Sequence, residues 1–200
     1  MADAPGGGLD QTANLLGALS LVIADRMADA MAEAGGRPES GAAALSALMH
    51  FLDRPTVDLL RQVLGLTSSG TVRLVDRMAD SGYVQRGPGA DGRSTSVSLT
   101  GAGRVAAERV AAARAGVLTG VLDGLSPAER EALRELMSKM LARLIRGPGA
   151  VRWGCRLCDT GICRGAEGGC PVGNAVRERY GVHGGADPPA SPPLQPGRTS

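Results

Sequence analysis

Aromatic residues are almost missing from this sequence: Phe51, Tyr83, Trp153 and Tyr180 are the four in 200 residues. A β-sandwich or barrel, which draws on aromatic and β-branched strands, fits that composition poorly, whereas the abundant Ala, Leu and Val favour helices. Long apolar runs are missing as well. The longest, Leu15 to Ala24, is far short of the ~20 residues a bilayer span needs, and Met1-Ala2-Asp3 lacks the basic flank of a secretion signal. Neither a membrane protein nor a secreted one is expected, and the expected location is the cytoplasm. Charge of one sign is not in excess: 22 basic and 20 acidic residues leave +2, so no overall basic field announces a polyanionic partner. All the basic residues but Lys139 are arginine, the better bidentate partner of phosphate and guanine, although a GC-rich codon habit gives the same bias. Histidine occurs only at His50 and His183, and there is no Ser/His/Asp set, HExxH or phosphate loop, so no enzyme is expected. Cysteine is absent outside the short stretch from Cys155 to Cys170.

The periodicity of the apolar residues is mainly helical. Leu15, Leu19, Val22, Ile23, Met27, Ala30 and Met31 define a long first helix that ends at Gly35-Gly36. A second helix carries Leu45, Leu48, Met49 and Leu52 and stops before Pro55, because the residue preceding a proline is pushed out of helical space. Thr56 caps a short helix through Leu64, Gly65-Leu66 makes a tight turn, and Thr67 or Ser68 caps a further helix with Val72, Val75 and Ala79 inward. From Tyr83 the period changes to alternation over 83–86 and 94–99, a two-stranded hairpin with a long polar tip. Thr100 opens a helix toward Leu125, and Ser126-Pro127-Ala128-Glu129 has the spacing of a capping box with proline at the first helical position. The helix it starts bears a stripe of Leu133, Leu136, Met137, Met140, Leu141, Leu144 and Ile145, which suits an internal core and a dimer seam equally well. Residues 1–9 and 183–200 are Gly- and Pro-rich with little to bury and are expected to be disordered. The fold class is thus mainly α with a small β hairpin.

Helix, tight turn, helix and hairpin is the winged-helix order, in which the second helix enters the DNA major groove and the hairpin reaches the backbone or minor groove. Thr67, Ser68, Ser69 and Thr71 put short hydroxyls and free N–H groups at the start of that helix, where base edges and phosphates are met. Arg73 and Arg77 share one face, and Arg86 and Arg93 lie on the strand and tip of the wing, where a narrow minor groove attracts arginine. Asp91 is placed to hold Arg93 by a bidentate pair. The plainer readings are a solvated Arg73 and an Arg77 paired locally with Asp76 or Asp80. Across residues 55–104 six arginines face four aspartates, a modest footprint that predicts a shallow salt dependence.

The run Leu64-Gly65-Leu66-Thr67, then Thr71-Val72-Arg73-Leu74-Val75-Asp76-Arg77-Met78, then Gly82-Tyr83-Val84, resembles the MarR family of transcriptional regulators. The wing adds that family's D-x-R-x5-L-T pattern at Asp91, Arg93, Leu99 and Thr100, followed by Gly103. The resemblance covers about Gln11 to Arg146. It implies a homodimer built from the N-terminal helix (10–36) and the two C-terminal helices (101–146), flanking a winged helix-turn-helix at 37–100 that binds a palindromic double-stranded DNA operator, most commonly as a repressor. It also implies a small-molecule effector, often phenolic, or an oxidant that changes the spacing of the two lobes.

The segment 151–182 lies outside that pattern. Cys155, Cys158, Cys163 and Cys170 have the spacing C-x2-C-x4-C-x6-C and read as a metal or redox site, since a cytoplasmic chain does not keep two structural disulfides and clustered thiolates repel unless a cation neutralises them. Arg156 and Arg164 offset such charge, and the nearby glycines permit a tight loop. Zinc is the common partner of four cysteines but favours paired C-x2-C units, of which only one is present. The closing Cys-Pro suits an iron–sulfur cluster, and metal-free thiols that form disulfides are the third reading. His183 and His50 are further ligands in principle, His50 being read as an edge-of-core histidine. Because the segment follows the expected dimer helix across Gly147-Pro148-Gly149-Ala150, its chemistry is expected to tilt the dimer seam and so the recognition helices, which are spaced about 34 Å apart on DNA. Two other readings stay open: a regulator responsive to a small phenolic ligand with a structural zinc tail, and a metal-binding interaction or electron-transfer module without specific DNA binding.

Overall fold

The computed structural model describes residues 10–35, 39–89, 92–144, 153–165 and 169–181. Helix α1 (Gln11–Glu33) starts at Asp10, whose carboxylate accepts from the Ala13 N–H at 2.7 Å. It leads to α2 (Glu39–His50), α3 (Val57–Leu64) and α4 (Ser68–Asp80), then strands β1 (Val84–Pro88) and β2 (Thr95–Leu99), then α5 (Gly101–Leu122) and α6 (Pro127–Leu144). Two short helices, α7 (Thr160–Gly165) and α8 (Pro171–Tyr180), close the described chain. Among the described residues no helix is long and apolar enough to cross a membrane.

Side-chain caps set the boundaries of the central elements. Thr56 and Thr67 each accept an N–H from the first turn of α3 and α4, at 3.1 Å in both cases. Thr100 does the same for α5 at 3.0 Å while donating to the Gly82 carbonyl at 2.6 Å, which ties the helix to the start of the wing. The capping box of α6 is formed: Glu129 accepts from the Ser126 N–H at 2.8 Å, and the Ser126 hydroxyl oxygen accepts from the Glu129 N–H at 3.4 Å. At the turn between α3 and α4, Gly65 adopts φ +65°, a left-handed conformation that lets its own N–H and that of Leu66 satisfy the last carbonyls of α3.

The core gathers around α2, which packs against α1, α3, α4, α5 and β2. Leu45 of the expected stripe is buried and Leu48 packs on the core, but most of the buried face is alanine, Ala42, Ala43, Ala44 and Ala47, which the periodicity did not single out. Met49 is exposed, and Leu52 is buried only after the helix has ended. Alanines allow neighbouring backbones to approach closely, and the larger Leu60, Val63, Leu74, Val75, Val97 and Val110 fill the space around them. In α4 the inward set is Thr71, Leu74, Val75 and Met78, so Val72, expected inside, faces outward.

The hairpin is antiparallel, with Val84 opposite Leu99 and Pro88 opposite Thr95. It is pinned to the loop before α3 by an isolated bridge between Thr56 and Ser96, with the Val97 N–H donating to the Pro55 carbonyl at 2.9 Å. No residue of α6 is buried, and Leu136, Met137, Met140, Leu141 and Leu144 are exposed along it, as are Leu15, Leu16, Leu19, Leu21 and Val22 on α1. The expectations for Ile145, for His183 and for both chain ends lie outside the described residues.

Candidate nucleic-acid interface and cysteine site

Helix α4 presents its first turn to solvent. Thr67, Ser68 and Ser69 are exposed there, and about one and two turns further on Arg73 and Arg77 are exposed as well. Among the described residues neither arginine is in an ion pair. Positive ends of backbone dipoles, short hydroxyls and two guanidinium groups together make a surface suited to a polyanion. Thr71 does not belong to it. That side chain is fully buried and its hydroxyl donates to the Thr67 carbonyl at 3.0 Å, so it braces the first turn from inside.

The wing is joined to this helix. Arg86 on β1 donates through Nη2 to the Asp76 carboxylate at 2.5 Å, which makes Asp76 the partner of the wing and not of Arg77. Arg93 is exposed near the tip, and Asp91, expected to hold it, lies outside the described residues. Sequence reasoning passed over Arg54. This exposed residue adopts φ +45°, unusual for a side chain with a Cβ, and its guanidinium lies 3.6 Å from where a Cβ on Gly87 would stand, toward the tip end of β1. The signal available was an arginine directly before Pro55 in the loop leading to the helix-turn-helix.

The four thiols come together as two interacting pairs, Cys155 with Cys158 and Cys163 with Cys170. The C-x2-C unit is a tight turn in which the Cys158 N–H donates to the Cys155 carbonyl at 2.9 Å. Hydrogen bonding from Cys155 lowers the Cys158 thiol to about 6 against the opposing effect of burial, with help from the Arg114 guanidinium on α5. Donating that bond raises Cys155, and burial followed by the neighbouring cysteines raises Cys163. Cys170 caps α8, its Sγ accepting from the Gly173 N–H at 3.4 Å, and together with Cys155 it packs on Val172 and Val176. Among the described residues, no three Cys, His, Asp or Glu side chains stand close enough to form a ready ion cage. Among the described residues the buried Nε of Arg114 has no hydrogen-bond partner, and the charge of this guanidinium acts on Cys158, so the surroundings favour an anionic sulfur site.

The cysteine segment is docked on the helix-turn-helix, which the sequence did not indicate. The Trp153 ring lies against Gly65, its Nε1 3.2 Å from where a Cβ would stand, and Arg156 covers the ring at 4.7 Å from its centroid. Leu157 packs against the main core. The Thr160 hydroxyl donates to the His50 carbonyl at 2.8 Å, and the His50 Nδ1 is 3.5 Å from the Asp159 carboxylate. His50 therefore does sit at the edge of the core, facing this segment. At the other end of the segment α8 packs against α6. The tail thus touches the helix-turn-helix as well as the helix expected at the dimer seam.

A separate cavity of about 280 Å³ lies between the α1–α2 region and α4, lined by Gly35, Leu45, Arg77, Met78 and Tyr83 among others.

Known proteins share this architecture. A MarR family protein from Bacillus stearothermophilus superposes with a TM-score of 0.60 at 24% identity, over 66% of this chain and 92% of that one. A MarR family transcriptional regulator from Silicibacter pomeroyi gives 0.52 at 26% identity, over 66% and 88%. The protein CouR from Rhodococcus jostii RHA1, solved with p-coumaroyl-CoA bound, gives 0.50 at 19% identity, over 66% and 91%. No curated protein matches the sequence. Residues 41–94, from the alanine face of α2 to the tip of the wing, match the sequence profile of the MarR family. With its helix caps and its wing in the expected order, this chain has the winged helix-turn-helix fold, and over residues 41–94 it is similar to the MarR family.

Proposed function

We propose that the chain is a sequence-specific DNA-binding repressor that acts as a homodimer on a palindromic operator, its affinity controlled by the four-cysteine site. The observation that carries the DNA-binding part is the outer face of α4, where exposed Ser68 and Ser69 stand at a capped helix start and Arg73 and Arg77 follow without carboxylate partners among the described residues. Arg86 and Arg93 extend the cationic surface along the wing. Dimerisation is supported by the apolar residues that α1 and α6 leave exposed, more than a small soluble monomer usually presents.

Control by the cysteines is supported by the donor set and its surroundings. The donor chemistry of four thiols beside a buried guanidinium suits an iron–sulfur cluster or Zn2+ held by Cys155, Cys158, Cys163 and Cys170, which would have to draw the two pairs together, since no three of them form an ion cage as placed. Either group, when bound, neutralises thiolate charge and locks the segment; an iron–sulfur cluster adds sensitivity to oxidants. Without metal, a two-electron oxidant removes two electrons and two protons from a thiol pair and leaves a disulfide.

Selection of duplexes from genomic fragments by the full chain, followed by titration in two salt concentrations, tests the DNA-binding part. Enrichment of one palindromic sequence supports it, and equal binding to all fragments refutes it. Iron, sulfide and zinc analysis of protein purified without oxygen, with a visible spectrum, identifies the occupant of the cysteine site. Metal-free protein whose operator affinity is unchanged by oxidant refutes the cysteine control.

A second reading rests on the cavity beside Arg77, Met78 and Tyr83, whose location between α1–α2 and the recognition helix suits a small aromatic effector. Under it the cysteine tail is a structural zinc site. Loss of operator binding on titration with phenolic acids or their CoA thioesters, with no response to oxidant, favours this second reading over the first.

A further inference from the structure

We infer that the cysteine segment acts on DNA binding as a strut between α6 and the helix-turn-helix, and that Trp153 seated on Gly65 is the positioning residue that passes the state of the cysteines to the recognition helix. The inference rests on the proposed control by the cysteines and names its route.

Three contacts fix one end of the strut to the DNA-reading lobe. Trp153 lies on the left-handed Gly65, two residues before Thr67 caps the recognition helix. Leu157, four residues on, packs into the main core, and Thr160 donates to the carbonyl that ends α2. The other end is α8, capped by Cys170 and packed on α6. Cys155 and Cys158 lie within the first contact region, Cys163 follows in α7, and Cys170 begins the second. Any chemistry that draws the four sulfurs together therefore pulls between these two attachments.

Gly65 is a sensitive place to pull. Its φ of +65° is held by two N–H bonds to the last carbonyls of α3, of which the Gly65 bond is long at 3.4 Å. The ring edge rests against this turn, its Nε1 3.2 Å from where a Gly65 Cβ would stand, so a shift of the turn moves the ring with it. Releasing the ring frees the turn, and with it the angle at which α4 leaves α3. Trp153 is itself held from above by Arg156, which stacks on the ring and donates to the Trp153 carbonyl at 2.8 Å. This stack orders the ring on a surface where it is 47% exposed.

Trp153 is the only tryptophan, so its emission reports the contact directly. The test uses the full-length protein and a duplex recovered from the genomic selection, before and after diamide, which takes two electrons and two protons from a thiol pair and is reduced to the hydrazine. Diamide is expected to weaken wild-type operator binding by about tenfold, within the usual range of allosteric coupling, and to shift Trp153 emission over the same concentration range. Trp153→Ala, which frees the turn outright, should bind the untreated operator about tenfold more weakly than wild type and show little further response to diamide. Trp153→Phe, which keeps an aromatic ring on the glycine, should restore that response. Thr160→Val, which removes the bond to His50 without touching the ring, should weaken it. If Trp153→Ala keeps the full response, or wild-type affinity changes with no change in emission, the strut is wrong while control by the cysteines stands. If wild type and a Cys155→Ser, Cys158→Ser double variant bind alike with and without diamide, control by the cysteines fails and the strut falls with it.

Discussion

Asp76, in the middle of α4, accepts a hydrogen bond from Arg86 on the first strand of the wing at 2.5 Å. Both side chains are nearly half exposed, so the pair contributes less than about 1 kcal/mol to stability. Its consequence is orientation: under the proposed DNA binding, an arginine held toward the helix is less free to meet a phosphate. Asp76→Asn releases Arg86 and is expected to raise DNA affinity and steepen its salt dependence, while Arg86→Ala lowers affinity. Titrations at several salt concentrations check this, and equal losses in both variants would mean that the pair only braces the wing.

Arg73 and Thr71 are two residues apart on α4 and are expected to behave oppositely. Arg73→Ala should weaken operator binding by about 1–3 kcal/mol if it reads a base, or lower the salt slope by about one if it meets a phosphate, with thermal stability unchanged. Thr71→Val removes a buried hydroxyl bonded to the Thr67 carbonyl and should cost about 0.5–1.5 kcal/mol of stability with sequence preference unchanged. Thermal unfolding beside operator selection separates the two effects.

Gly103 in the first turn of α5 has no room for a side chain, because an added Cβ would stand 1.9 Å from the Tyr83 carbonyl oxygen. Gly103→Ala forces α5 away from the base of the wing and is expected to destabilise the protein by about 1–3 kcal/mol or more. Chemical denaturation measures it. A change below about 0.5 kcal/mol would mean that the helix shifts freely at that point.

The exposed stripe on α6 predicts assembly state. Leu136→Glu with Leu141→Glu places charge on a face with no buried residue in the single chain, so folding should persist while the dimer dissociates. Light scattering reads the mass directly. A double variant that remains dimeric would locate the seam elsewhere.

The winged helix was legible because it is written in local signals. Thr56, Thr67, Thr100 and the Ser126–Glu129 box each stand where the structure places a helix start, and Gly65 falls at the one tight turn. The phase of α4 was misread. Thr71, Leu74, Val75 and Met78 follow the i, i+3, i+4, i+7 rule, yet a threonine at the head of that series reads as polar surface until its hydroxyl is seen bonding back to the previous turn. The alanine face of α2 was missed for a related reason, since small residues bury by allowing close approach and give little hydrophobic signal. The docking of Trp153 and Leu157 was beyond local reading altogether. Their contacts reach residues about a hundred positions earlier, and nothing in the spacing of the cysteines says which part of the lobe they lean on.

Cys170 holds two offices at once, as one of four clustered sulfurs and as the cap that begins α8. Serine is among the best residues for the second and useless for the first. Cys170→Ser therefore leaves a helix that starts in the same place, packed on α6 as before, with a hydroxyl where the sulfur was. At this one position the architecture of the tail and its chemistry can be taken apart by exchanging a single atom.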